Sequence, residues 1–372
     1  MPMPADARAP DGQSAPPLWA VVFAGGIGSR FWPLATPSVP KPVLALVGGR
    51  PLLAETVGRL DPLIPADRVL VVTSADIAPA IRAVLPSVPP SNILVETKPM
   101  GTAAALAWGV SEVRRRADPN TPVCAMHADL AAAFPSLLRE ALMRAALTSA
   151  REHTLVAIGV RPMRAEASFG YIEPGALLSE DEKLGQGGAA DVAEFTEKPG
   201  PTAAERLIAS GALWHSGIVL GGAKEFLDAL QMYVPEVSRG LAALAVGDTD
   251  EFARHVRPIS IERGLLERMG RLLVTAPEFG WDDVGTWAGL RRVRELDDDG
   301  NGALGAAHFT DATGNVVHAE SGTVVMFGVS QLLVVTRPGL TFVTTLEHAA
   351  ELKPLLDSLP GSARINPGSL GS

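Results

Sequence analysis

The chain is 372 residues long, 47% apolar and 20% charged, with a formal net charge of −9 and one cysteine. That length buries a sizeable core and suits two domains, and the composition is that of a folded chain rather than a disordered one. The acidic balance argues against a nucleic-acid partner, which needs a basic face, so an anionic ligand must be held by local groups. The single Cys124 excludes an internal disulfide framework and fits a reducing cytoplasm. It lies in an apolar run and reads as a buried, inert thiol. Residues 1–17, rich in Pro and Ala and without a secretory pattern, read as a disordered tail. No run approaches the roughly 20 apolar residues of a membrane span, so no membrane partner is expected.

The first structured element is an apolar β run at 20–23, followed by G-G-I-G-S-R-F-W-P-L and then P-K-P, which places Gly25, Gly26, Gly28, Arg30 and Lys41 on one loop. Glycines let backbone N–H groups approach an anion closely. A guanidinium and an ammonium on the same loop add fixed positive charge where phosphate oxygens would sit. A dinucleotide fingerprint would need a third glycine at position 31, which is Phe31, and a P-loop would need Ser or Thr after the lysine, where Pro42 stands. The stretch is a phosphate cradle of another kind.

Beyond it the spacing predicts a helix over 51–60, a doubly buried strand over 69–73, a helix over 76–85 and a strand over 92–96. Alternation of strand and helix predicts a parallel sheet with helices on both faces. Gly101 and Thr102 open an alanine-rich helix ending near 116; Thr102 is either a simple N-cap or a contact to a nucleotide base. A strand over 121–126 ends in His127, Ala128 and Asp129, at the strand end where ligands of open α/β sheets sit. The lone His127 reads as a packed or hydrogen-bonded residue in preference to a metal ligand. A helix over 134–150 and strands over 154–160 and 168–173 follow. A helix over 201–210, a strand over 213–220 and helices over 224–232 and 235–246 come next. A strand over 272–276 leads to F-G-W-D-D-V-G-T-W at 279–287 and a helix carrying Arg291, Arg292 and Arg294. An Asp/Gly-rich linker at 297–302 precedes short β runs, a last helix over 348–356, and an end that looks disordered from 361.

The glycine stretch resembles the sugar-phosphate nucleotidyltransferases and, with Phe31-Trp32-Pro33, most of all the mannose-1-phosphate guanylyltransferases. The segments G-Y-I-E at 170–173, F-T-E-K-P at 195–199, W-H-S-G at 214–217, I-S-I-E at 259–262 and W-D-D-V-G-T-W at 281–287 follow in that family's order. His215 replaces an asparagine, Glu262 an aspartate, and His127 a small residue or proline. The resemblance implies a doubly wound, mixed but mostly parallel α/β sheet of nucleotidyltransferase type, Rossmann-like, over 18–296. A small C-terminal β domain, a β-helix fragment, is implied over 303–358, and 359–372 is expected to be a disordered tail. It implies that Ala24, Gly25, Gly26, Gly28, Ser29 and Thr102 bind the nucleotide. Gly170, Glu197, Lys198 and His215 would bind the sugar phosphate, and Asp129 and Asp283 a metal. Asp282 takes the variable position and reads as a surface charge.

The reaction so implied is attack of a sugar 1-phosphate on the α-phosphorus of a nucleoside triphosphate, giving a nucleotide sugar and pyrophosphate. A phosphate monoester is already anionic near neutral pH, so no general base is needed. Arg30 and Lys41 would neutralise charge, and Mg²⁺ on Asp129 and Asp283 would bridge phosphates. GTP and mannose 1-phosphate are the expected substrates of a cytoplasmic homodimer. UTP or dTTP with glucose 1-phosphate is the near alternative, and a non-catalytic homologue that only binds nucleotide or sugar phosphate is the distant one.

Overall fold

The computed structural model describes residues 17–179 and 181–367. The expected N-terminal tail therefore lies almost wholly outside the described residues, as does the last part of the C-terminal one. Strands β1 (Trp19–Phe23), β2 (Val69–Ser74), β3 (Ile93–Glu96) and β4 (Pro122–His127) form a parallel half-sheet in the order β3-β2-β1-β4. β1 to β4 are almost wholly buried because helices cover both faces, which is why they read as unbroken apolar runs. The sheet continues past the three-residue strand β5 (Leu130–Ala132), which stands outside it, through β6 (Val156–Val160), β7 (Gly170–Leu177), β8 (Ala189–Glu197), β9 (Leu213–Gly222) and β10 (Leu273–Thr275). The full order is β3-β2-β1-β4-β9-β6-β10-β8-β7, and only β8 and β9 run against the rest. This is a doubly wound, mixed and mostly parallel sheet.

Two apolar clusters fill the two faces. Val21, Val72 and Val123 point to one with the helix Thr102–Arg116; Val22, Val71 and Cys124 point to the other with the helix Pro135–Glu152. Burial pushes the Cys124 thiol far above its usual range, so it stays protonated and unreactive.

β11 (Trp281–Asp283) pairs antiparallel with β5 as a separate two-stranded ribbon. A second sheet follows: β12 (Gly302–Thr310), β13 (Val316–Phe327) and β14 (Leu332–Arg337) are parallel, and β15 (Leu340–Thr345) closes it antiparallel. A third apolar cluster joins this sheet to the segment after the glycine loop, with Phe31, Leu34 and Leu46 packed on Trp287, Val316 and Val335. Arg294, buried, donates to the Leu46 and Val317 carbonyls and fixes the same junction.

Local expectations fail in four places. The helix expected over 235–246 is two pieces, Pro235–Ser238 and Leu241–Ala245, because Gly240 lies close under Phe252. Phe252 belongs to a helix, Thr249–His255, that the sequence reading passed over although Asp248 caps it through the Glu251 N–H. The last expected helix is also divided, into Leu346–Ala349 and Lys353–Ser358. The end expected to be disordered instead carries a turn of helix, Gly361–Ile365, with Ala363 buried.

Candidate active site

The carboxyl ends of β1 and β4 and the amino end of the antiparallel β9 open on one side of the sheet, as strand direction requires, and the candidate residues gather there. After β1 the chain is held by the Ala24 N–H donating to the Val72 carbonyl and by Thr73 Oγ1 donating to the Ala24 carbonyl, at 2.9 and 2.8 Å. Gly28 has φ +79°, and any Cβ there would collide with Lys41. The Lys41 N–H donates back to the Ile27 carbonyl at 2.8 Å. The loop and the lysine are thus one packed unit, with Gly26 open to solvent above it.

Lys41 is buried, and its ammonium reaches Asp129 at 2.5 Å while lying 5.1 Å from the Phe31 ring. Burial works against the Asp129 charge, but the Lys41 ammonium outweighs it and holds the carboxyl at about 2. The β5–β11 ribbon sets Asp283 opposite Leu130, and both carboxylates line the same cleft. Burial, then the nearby Asp129 charge, raises the pKa of Asp283. Asp282 is not a free surface charge: its side chain is 13% exposed and takes both 2.8 and 2.9 Å hydrogen bonds from Arg292.

The rest of this cleft, about 330 Å³, is lined by Thr102, His127, Gly170, Glu197, Lys198, His215 and Glu262, under Trp281. Gly170 is required by close approach, since a Cβ there would stand 2.9 Å from Glu197 Oε2. Glu197 takes the Lys198 ammonium at 2.7 Å; burial nonetheless raises its pKa. Thr102 does not cap its helix: its hydroxyl accepts the Ile261 N–H at 2.8 Å and ties the helix start to the 259–262 segment. That segment delivers Glu262, 3.7 Å from His127 Nε2. Burial opposes the Glu262 charge, yet the His127 imidazole holds the carboxyl at about 2. His215 is buried with neither ring nitrogen hydrogen-bonded, and burial lowers its pKa to about 4, so the ring is neutral.

The glycine loop and Arg30 do not line this cleft. Arg30 and Ser29 line a neighbouring groove, although the Arg30 charge is felt by Asp283. The sequence reading also missed Glu96, at the end of β3. It is buried, with Oε1 unpartnered, and its other carboxylate oxygen is 3.9 Å from where a Gly25 Cβ would be. Burial, relieved only by a backbone hydrogen bond at Met100, pushes its pKa up to about 7. The signal available was a charged residue closing an otherwise apolar strand next to the cradle.

A glycine turn after the first strand of a doubly wound sheet, with paired carboxylates across from it, defines an α/β protein that takes a phosphorylated nucleotide at its strand ends. The chain belongs to the nucleotidyl transferase family, whose sequence profile matches residues 19–299. It is similar to a mannose-1-phosphate guanylyltransferase of Escherichia coli K12, 28% identical over 93% of this chain and 74% of that one. It is also similar to the mannose-1-phosphate guanylyltransferase ManC of Salmonella typhimurium LT2, 29% identical with the same coverage. A solved Thermus thermophilus structure, described as a mannose-1-phosphate geranyltransferase, superposes with a TM-score of 0.82 at 30% identity, covering 92% of this chain and 98% of that one.

Proposed function

We propose that the protein joins GTP and mannose 1-phosphate into GDP-mannose and releases pyrophosphate. The observation that carries this is that Asp129, ion-paired with Lys41, and Asp283 share one cleft with the hydrogen-bonding side chains of Glu197, Lys198 and His215. The sugar phosphate oxygen forms a bond to the α-phosphorus as the bond to the β-phosphate oxygen breaks, and no proton needs a base. Glu197 and His215 accept from and donate to sugar hydroxyls, and Lys198 faces the sugar phosphate. The glycine loop aligns the triphosphate, with Arg30 and Lys41 neutralising charge on it.

Two carboxylates are the hard oxygen donors that suit Mg²⁺. Among the described residues no group of three or more His, Cys, Asp or Glu forms a cage, so phosphate oxygens would complete the ion's shell. Once bound, the ion supplies charge neutralisation at the phosphates. Guanine is favoured by Glu96, whose bare oxygen suits a base presenting adjacent N–H donors on one edge. As a homodimer the chain would cover the exposed Val325, Phe327 and Val343 of its second sheet. Among the described residues no helix is long and apolar enough to cross a membrane; a cytoplasmic location remains part of the proposal.

Four triphosphates tested against mannose, glucose and galactose 1-phosphates, with pyrophosphate release as readout, decide the matter. GTP with mannose 1-phosphate is expected to exceed every other pair by at least about tenfold. Preference for UTP or dTTP with glucose 1-phosphate would move the reading to that branch. Absence of release from all pairs would favour a binding protein, the reading that Gly101, His127, His215 and Glu262 support by departing from the family pattern.

A further inference from the structure

Arg30 opens a groove that the sugar end does not use. About 410 Å³ in volume, it runs between the turn after the glycine loop and the helices at residues 346–365. The turn contributes Ser29, Arg30 and Trp32; the helical side contributes Lys353 and Arg364, over a floor that includes Leu352 and Leu356. Among the described residues Arg30 and Lys353 make no hydrogen bond or ion pair. Arg364 is oriented by donating to the Asp357 and Leu359 carbonyls, each at 3.2 Å. Trp32 is 4% exposed, packed edge-on against Phe342 at 5.4 Å, and its indole N–H has no acceptor. Two carboxylates, Glu351 and Asp357, also line the groove, so its three cations leave one positive charge over.

Unpaired cations over an apolar floor ask for an anion with several acceptor oxygens, because the floor lowers the local dielectric and strengthens each contact. The groove begins where Arg30 still influences Asp283. A phosphate chain with its α-phosphorus beside Asp129 and Asp283, lying along the glycine loop, would carry its terminal phosphates past Arg30 into it. We infer that this groove receives the terminal phosphates of the triphosphate and holds the leaving pyrophosphate, with Lys353 and Arg364 contacting phosphate alongside Arg30. The inference rests on the triphosphate reading given above, and it adds the C-terminal helices to the substrate site.

Inorganic pyrophosphate titrated into the full chain by calorimetry tests it without turnover. Lys353→Ala is expected to weaken pyrophosphate binding about tenfold, and Lys353→Arg to restore it to within about threefold. The KM for GTP rises in step, while GMP binding and the KM for mannose 1-phosphate stay unchanged, since neither carries the terminal phosphates. Equal pyrophosphate affinity in wild type, Lys353→Ala and Arg364→Ala overturns the inference. So does a parallel loss of GMP affinity, which would place the effect in the packing of the helices. A protein that turns over no substrate pair would defeat the functional reading, yet its pyrophosphate titration would still report on the groove.

Discussion

At the phosphate end of the cleft Lys41 and Asp129 already satisfy one another at 2.5 Å, whereas at the sugar end His215 is buried with both ring nitrogens bare. The first pair holds its charges in place before any ligand arrives, so a phosphate meets oriented groups and little reorganisation is needed. The second arrangement leaves hydrogen-bonding capacity unspent until a hydroxyl supplies it, and a sugar lacking that hydroxyl leaves a buried polar group unpaired. On the proposed function, rate would be concentrated at one end and discrimination at the other.

The largest break should come from Asp283→Ala. Turnover by pyrophosphate release is expected to fall about 10²–10³-fold, the usual loss when one charge-organising group is removed. The melting temperature should not fall, because burial and Asp129 already disfavour the Asp283 charge. A rate within twofold of wild type would detach Asp283 from the phosphate end.

Glu96 extends the contrast to the nucleotide loop, where another buried acceptor is bare. Folded, it keeps its proton to about pH 7; its ordinary value is 4.5. Between those values the folded state binds more protons than the unfolded one, so stability falls as pH rises and stays lower above pH 7. Glu96→Gln removes this penalty. Its stability in denaturant should exceed wild type above pH 8 by up to about 3 kcal/mol, with the difference vanishing toward pH 4.5. With wild type, the KM for GTP should rise as pH drops below about 7, since a protonated carboxyl accepts less well from guanine. A flat difference across pH would show that Glu96 is not the group responsible.

The smallest effect sharpens the sugar end. His215→Ala should raise the KM for mannose 1-phosphate about tenfold and leave the KM for GTP alone, while His215→Asn, which keeps a donor and an acceptor, should lie between. Equal shifts in both KM values would mean that the ring only fills space.

The parallel half-sheet was legible because strands buried on both faces show as unbroken apolar runs, and Val69–Ser74 and Ile93–Glu96 lie within a residue or so of expectation. The glycine turn after β1 was legible because glycine, cation and proline positions coincide within one short stretch. The division at Gly240 was not, since it follows from Phe252 packing close against that glycine, whereas the division at 350–352 precedes Pro354, a local signal that went unread. Asp282 was misjudged for a similar reason: its partner, Arg292, sits ten residues on and one helical face around.

Sequence alone determined the strand–helix alternation, the glycine turn proposed to bind phosphate and the acidic residues available to it, all written in neighbouring positions whose periodicity and stereochemistry act locally. Tertiary structure decided which acids meet and where the cations face. Asp129 and Asp283 come together through two three-residue strands too short to carry a pattern, and Arg30 faces helices more than three hundred residues further along. Such pairings depend on the closure of the whole chain, and no local propensity records them.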